Sequence, residues 1–218
     1  MFATGNKLIS FRGPLGVPVE IHSSALILGA LLVFLGSRNS LAFGVIFVAA
    51  LFLSIFLHEL GHAWAAKVQK VPVSRIVIWG GGGFCEHARA PSPKVSEFVV
   101  IMGPLTNLAI WAIVGILPFE LTGILLVDAG INVFGYLNLF LALFNLVPVH
   151  PLDGGKLTQL FAMRFMSARD ATRLSGGIGL AFCVLWIPIL VASFVFVGFV
   201  LMFIPSWTLH KQMWDIGR

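Results

Sequence analysis

The chain has 218 residues, of which 58% are hydrophobic and only 11% are charged. Soluble domains average about a quarter charged residues and slightly less than half apolar ones, so this composition excludes an ordinary soluble domain and a disordered chain. The two cysteines are far apart and form no CxxC pair, which excludes a disulfide scaffold. We therefore expect a polytopic membrane protein.

Long apolar runs follow one another along the chain and predict its membrane-spanning helices. The runs cover residues 21–36, 41–66, 95–119, 121–147 and 174–209. A spanning helix needs about 20 apolar residues, so the last run is too long for one span, and Pro188 offers a place for it to turn. The sequence predicts an all-α polytopic membrane protein with about six transmembrane helices, organised as a single domain over residues 1–218.

The positive charges lie in every second loop between these runs. Of the fourteen Lys and Arg residues, only Arg38 would face the other side if there are six spans. The gap after the third run contains Glu120 and Asp128 and no cation. This is the positive-inside pattern, and it predicts a multi-pass protein of the cell membrane with both termini in the cytoplasm. The net charge of +5 then reflects topology, and we expect no nucleic-acid partner.

The largest polar interruption, residues 71–94, separates the second and third runs. Residues 73–79 are rich in β-prone side chains, and the four glycines at 80–83 then break the pattern. The segment is either a flexible loop or a small β-hairpin, or re-entrant segment, that dips toward the membrane between helices 2 and 3. Further on, residues 156–173 mix apolar side chains with arginines, which predicts a helix lying at the membrane interface.

The second run ends in the sequence Leu57-His58-Glu59-Leu60-Gly61-His62, an HExxH motif. Residues i and i+4 share one face of a helix, so His58 and His62 can both bind one metal ion. The neighbouring Glu59 can then accept a proton from a water molecule at that ion. Ionisable groups inside an apolar helix are costly and usually functional. The motif therefore predicts a zinc site near the cytoplasmic end of this span.

A catalytic zinc ion usually has a third protein ligand. The formal candidates are Glu86, His87, Glu97, Asp128, His150 and Asp153. Asp153 stands out because two prolines and two glycines surround it and break the end of the fourth run. Irregular backbone at membrane depth is tolerated only inside the protein or at a water-filled cavity, so a carboxylate there suits a buried ligand. The alternative is that Asp153 caps a helix in a Pro/Gly turn.

Four landmarks together resemble the site-2 protease family of intramembrane zinc metalloproteases, in the compact form without PDZ or CBS domains. They are HELGH in the second span, the Gly-rich segment, the stretch from Pro93 to Asn107, and the NxxPxxPLDGG segment from Asn145 to Gly155. Their order and spacing match the family over nearly half of the chain. Two residues depart from its pattern, since His150 stands where an apolar residue or proline is common and Met102 replaces a small residue.

The resemblance implies one Zn²⁺ per chain, held by His58, His62 and Asp153, with Glu59 as the general base. It implies hydrolysis of peptide bonds in or next to the transmembrane helices of single-span membrane-protein substrates, as in regulated intramembrane proteolysis, with the active site toward the cytoplasmic side of the lipid bilayer. The residues implied in substrate binding are Asn145, Gly80, Gly81, Gly82 and Gly83.

Some polar residues keep simpler interpretations or none. We expect Asn107 and Asn138 to form contacts between helices. His210 is expected to be a tail residue, and the roles of His22, His87 and His150 are open. No nucleotide-sensing domain is expected.

Two other functions compete with proteolysis. A metal transporter or channel would have ionisable residues spread over several spans, whereas here they cluster at one depth. An inactive relative would bind membrane segments without cutting them, yet the base and all three candidate ligands are present.

Overall fold

The computed structural model describes residues 5–36, 40–192 and 203–216. Its strands and helices, in chain order, are β1 (Lys7–Arg12), β2 (Pro18–His22), α1 (Ser23–Gly36), α2 (Leu41–Val68), β3 (Val73–Trp79), β4 (Gly82–His87), α3 (Pro93–Gly115), α4 (Leu125–Asn145), α5 (Asp153–Ala162), α6 (Ala168–Ala192) and α7 (Trp207–Trp214). The chain divides into two compact units, Met1–Leu143 and Phe144–Arg218. The interpretation as one domain stays a prediction.

Four of the described helices, α2, α3, α4 and α6, are long and apolar enough to cross a membrane, whereas α1 is shorter. The fold is therefore mostly helical, as expected, with a small sheet. Pro188 lies inside α6, so the turn expected at that residue is wrong. Residues 193–202 of the last apolar run lie outside the described residues, and the count of six spans stays a prediction.

The single helix expected over residues 156–173 is wrong, because two helices share that stretch, and the position at the membrane interface stays a prediction. The first, α5, ends at Ala162, and α6 begins at Ala168. Ser167 begins the second helix, since its side-chain oxygen accepts a hydrogen bond from the Asp170 backbone N–H at 3.2 Å. A polar residue that accepts from the first turn in this way is a common start of a helix.

The sheet in the first unit has four strands in the order β1-β2-β3-β4. Strands β3 and β4 form an antiparallel hairpin between α2 and α3, and β2 pairs with β3 in parallel. Strands β1 and β2 were not predicted from the sequence. Val19 and Ile76, which are partners across the parallel pair, are buried together with Ala63 of α2. The sheet thus packs against the half of α2 that contains the HExxH motif.

Arg75 on β3 holds two carboxylates of neighbouring strands. Its Nη1 lies 2.9 Å from Oε2 of Glu20, which is buried, and its Nε donates to Oε2 of the more exposed Glu86 at 2.5 Å. Lys7 and His22 lie 3.5 and 3.6 Å from the Glu20 carboxylate. Burial by itself would raise the pKa of Glu20, but the hydrogen bond and the charge of Arg75 lower it below its usual value. The sheet therefore contains a carboxylate that depends on Arg75.

Replacing Arg75 by methionine should lower the free energy of unfolding at pH 7 by about 1–3 kcal/mol, because a buried carboxylate loses its main partner. A group with a lowered folded pKa stabilises the fold above its unfolded pKa, here 4.5, and loses that effect as the pH falls below it. The deficit of Arg75→Met should therefore shrink on acidification. Thermal unfolding in detergent at neutral and acidic pH measures both effects.

Glu86→Gln is the matched control, since it removes the exposed partner of Arg75 and should cost less than about 1 kcal/mol. An Arg75→Met deficit of the same size at every pH would contradict this account of Glu20.

Candidate metal centre

His58 and His62 present two ring nitrogens to each other on the face of α2. Both side chains are buried, and their Nε2 atoms lie 3.1 Å apart. The two rings are nearly perpendicular, with centroids 4.7 Å apart. The i, i+4 spacing of the motif therefore brings the two imidazoles together as the sequence predicts.

Hydrogen bonds on the far side of each ring fix its tautomer. Nδ1 of His62 lies 2.8 Å from the Val99 carbonyl oxygen, which can only accept, so this nitrogen carries the proton. Nδ1 of His58 lies 2.5 Å from Oδ1 of Asn107. The Asn107 amide nitrogen donates to Oδ1 of Asn138 at 2.6 Å and to the Ser54 carbonyl oxygen at 3.3 Å, so its oxygen is left to accept. Each Nε2 therefore carries a lone pair.

Two nitrogen lone pairs that face each other at 3.1 Å repel unless a cation lies between them. In a tetrahedral zinc site with Zn–N distances of about 2.0–2.1 Å, the two nitrogens are about 3.3 Å apart. Rings whose Nδ1–H groups are held by a carbonyl or amide oxygen are also the usual arrangement of metal-binding histidines. The pair therefore fits a zinc ion.

The residues behind His58 form a buried polar network that links three helices. Asn107 of α3 and Asn138 of α4 are fully buried, as is Ser54 of α2. The Asn138 amide nitrogen donates to Ser54 Oγ at 2.9 Å, and that hydroxyl donates to the Ala50 carbonyl at 2.7 Å. Asn107 forms the expected contacts between helices, and it also orients His58, a candidate metal ligand 49 residues away.

Backbone passes close to the site on two sides because glycine occupies both positions. A Cβ atom at Gly103 of α3 would lie 2.8 Å from Cε1 of His58 and closer still to the His62 ring. A Cβ atom at Gly83 of β4 would lie 2.7 Å from Cγ and 2.9 Å from Oε1 of Glu59. Glu59 is itself buried. Of the four glycines in the predicted substrate-binding segment, Gly83 is thus the one that lies against the predicted general base.

The remaining glycines of that segment occupy different surroundings. Gly80 donates its backbone N–H to Ser24 Oγ at 3.0 Å, and Gly81 packs against its neighbour Trp79. Gly82 has a φ of +124° and open space around its Cβ position. Their role in substrate binding stays a prediction.

Asp153 is the first residue of α5 in the second unit, where it is buried and has Lys156 Nζ 3.4 Å from its Oδ1. The loop before it contains a cis peptide bond between His150 and Pro151. Asn145, the other predicted site residue of this unit, ends α4. The assignments of Asp153 to the metal and of Asn145 to the substrate stay predictions.

Three of the alternative third ligands have partners elsewhere. Glu86 pairs with Arg75, and Asp128 accepts two hydrogen bonds from Thr122 at 2.9 Å. The ring of His150 lies 3.2 Å from Ser175 Oγ.

His210 is wrongly interpreted as a tail residue. It is fully buried in the second unit, and its Nε2 accepts a hydrogen bond from the His150 backbone N–H at 3.1 Å. No sequence motif signals this contact, because the two residues lie 60 positions apart.

Replacing Asn107 by leucine should weaken zinc binding about 10- to 100-fold, the usual effect of removing the partner that orients a metal-binding histidine. The matched control is Asn138→Ala, which disturbs the same polar network without touching His58. Competition with a chelator in detergent measures both affinities. Equal losses in the two variants would show that the network acts only through helix packing.

Comparison with known proteins agrees with this geometry. The model of peptidase family M50 matches residues 46–129 and 124–186, which include the HExxH motif and Asp153. Zinc metalloprotease MJ0392 of Methanocaldococcus jannaschii is 29% identical over 203 residues, covering 84% of this chain and 57% of that protein. Putative zinc metalloprotease Rip3 of Mycobacterium tuberculosis is 36% identical over 135 residues, covering 60% of this chain and 33% of Rip3. The chain thus spans between a third and just over half of these relatives.

The fold also matches a solved structure, that of the site-2 protease from Methanocaldococcus jannaschii. The TM-score is 0.64 at 22% identity, and the match covers 94% of this chain and 91% of that one. The resemblance to site-2 proteases is thereby confirmed. The named relatives are zinc metalloproteases, and the donor atoms found here suit the same metal. The chain belongs to peptidase family M50.

Proposed function

We propose that this protein is an intramembrane zinc metalloprotease that hydrolyses peptide bonds in or next to the transmembrane helices of membrane-protein substrates. The observation that carries the proposal is the pair of buried imidazoles, His58 and His62, whose Nε2 lone pairs face each other inside a helix long enough to span a membrane. Glu59 lies between them in the sequence and is buried beside the β4 backbone. A binding protein would not require a carboxylate at this position.

Each residue of the proposed metal site has a distinct role in the reaction. His58 and His62 hold the zinc ion together with Asp153, which completes the three protein ligands of a catalytic site. A zinc ion held by these residues would supply Lewis-acid chemistry, polarising the scissile carbonyl and activating water near neutral pH. Glu59 accepts the proton of the attacking water and later gives it to the leaving amine. Asn107 and the Val99 carbonyl keep both Nδ1 protons in place, so that each Nε2 remains a ligand.

The substrate binds as an extended strand along β4. In the described sheet β4 is the last strand, with β3 on one side and no further strand of the described sheet on the other. A transmembrane helix must unwind before its peptide bonds are accessible, and backbone pairing with an edge strand holds the unwound segment with little sequence preference. Gly80–Gly83 belong to this binding segment, and Gly83 places the strand directly over Glu59. Asn145 contacts the carbonyl of the bound peptide.

The active site faces the cytoplasmic side of a multi-pass protein with six spans and both termini in the cytoplasm. Lys67 in the last turn of α2 and Lys70 just after that helix follow His62 within eight residues, and cations mark the cytoplasmic ends of spans. The substrates are single-span membrane proteins, as in regulated intramembrane proteolysis.

Glu59→Gln should abolish cleavage while zinc stays bound, because glutamine has nearly the same shape but cannot accept the proton. We expect a loss of at least about 100-fold, the lower range of what a general base contributes. Cleavage is measured on a panel of co-expressed single-span reporters with a cytoplasmic tag, and bound zinc by elemental analysis. A variant that still cleaves, or zinc flux that persists unchanged in vesicles, would contradict the proposal.

Asp153→Asn should lower zinc occupancy below one ion per chain in purified protein, because the amide is a weaker ligand than the carboxylate. Asp170→Asn is the matched control, since Asp170 lies in the same unit and pairs with Ser167 at the start of α6. Undiminished zinc binding in Asp153→Asn would direct the search for the third ligand to Glu97 or His87.

A further inference from the structure

We propose that His210 of α7 is a positioning residue for the metal site, because it fixes the loop that presents Asp153. This inference rests on the proposed role of Asp153 as a zinc ligand. All the contacts that carry it lie within the second unit, Phe144–Arg218.

The loop between α4 and α5 is tightly turned, and one of its backbone donors has its partner outside the loop. Within it, Val149 N donates to the Val147 carbonyl at 2.7 Å, and Leu152 N donates to the Val149 carbonyl at 2.9 Å. The N–H of His150 donates to the ring of His210 at 3.1 Å. A backbone N–H buried without a partner is costly, so this bond determines where the loop can lie. Three residues later the chain reaches Asp153.

The ring of His210 is prepared to accept that bond. Its Nδ1 lies 2.7 Å from the Ser206 carbonyl oxygen, which can only accept, so Nδ1 carries the proton and Nε2 carries a lone pair. The ring is fully buried, and Sγ of Cys183 lies 3.9 Å from Nδ1. The tautomer and the ring orientation are therefore set within α7 and by its contact with α6.

Close packing of α7 on α6 holds His210 in place. A Cβ atom at Gly179 of α6 would overlap the His210 ring, and one at Gly176 would lie 2.6 Å from the Trp214 backbone nitrogen. Any larger residue at these two positions would push α7 away from α6. The absence of a side chain at Gly179 therefore leaves the space that the His210 ring occupies.

The side chain of His150 forms a second attachment of the same loop. Its Nε2 lies 3.2 Å from Ser175 Oγ, and that hydroxyl donates to the Gly155 carbonyl at 3.4 Å. Burial, followed by the nearby His210 and Lys156, lowers the pKa of His150 to about 4, so the ring is neutral at pH 7 and can donate to Ser175. The loop is therefore attached to α6 through the His150 ring and to α7 through the His150 backbone N–H.

A ligand fixed before the metal arrives loses less conformational entropy on binding, so the metal binds more tightly. If His210 cannot accept from His150, the loop gains freedom and Asp153 with it. The consequence is weaker zinc binding and a less regular coordination geometry. Weaker zinc binding and altered coordination geometry can both arise while the protein stays folded.

Two substitutions of His210 separate these roles. His210→Gln can place its amide oxygen near the position of Nε2, where it still accepts from His150. His210→Asn is shorter and can imitate only the Nδ1–H that donates to Ser206. Lys211→Gln is the matched control, because Lys211 is exposed on the same helix and pairs with Asp215.

The readouts are zinc affinity by chelator competition, the absorption spectrum of the Co²⁺-substituted protein, and thermal unfolding of the metal-free protein. His210→Asn should weaken zinc binding about 10- to 100-fold and alter the Co²⁺ bands, as loss of a ligand-orienting contact does. His210→Gln should restore most of both signals, and Lys211→Gln should resemble the wild type.

Asp153→Asn, measured in parallel, separates failure of this inference from failure of the proposed function. If Asp153→Asn binds zinc as the wild type does, the ligand assignment fails and the inference falls with it. If Asp153→Asn is weakened but His210→Asn is not, only the inference is overturned. It is also overturned if His210→Gln and His210→Asn lose zinc affinity equally and in proportion to their thermal stability, since His210 would then act only in packing.

Discussion

A neutral imidazole in an apolar helix must have a partner for its N–H group and another for its lone pair. In α2 this constraint applies twice, at His58 and His62, and the arrangement of the neighbouring helices follows from it. The Val99 carbonyl and the Asn107 amide oxygen, both on α3, satisfy the two N–H groups. The amide nitrogen of Asn107 in turn donates to the side chain of Asn138 on α4 and to the backbone of α2. The lone pairs are left for a metal ion.

The second unit uses the same physical rule on the backbone. An irregular loop in a largely apolar chain has N–H groups that no helix satisfies, and the ring of His210 provides the acceptor for one of them. In both units an oxygen holds the Nδ1–H of a histidine, so that its Nε2 presents a lone pair. In the first unit this lone pair would be donated to a metal ion, and in the second it accepts a hydrogen bond from a peptide N–H. In both units, buried polar groups thus hold a residue or loop that the proposed chemistry uses.

The sequence predicts the parts of this structure that depend on local spacing. Apolar runs predict α2, α3 and α4, and the i, i+4 rule predicts that His58 and His62 meet. The partners of these residues depend on tertiary structure, since Asn107 and His58 lie 49 positions apart. Strand β1 was missed because its side chains are all exposed and show no burial pattern. The turn predicted at Pro188 is wrong because a proline inside a long apolar helix can be tolerated without ending it.

The contact between Gly83 and Glu59 also restricts how β3 and β4 can pair. Gly83 is aligned with Ile78, and it meets Glu59 only in this alignment. Because side chains alternate between the faces of a strand, a slip of one residue would bring either Gly82 or Phe84 over the carboxylate. An aromatic ring cannot occupy a space in which a single Cβ atom would lie 2.7 Å from Glu59. The buried carboxylate therefore acts as a steric stop against the slip that would bring Phe84 over it.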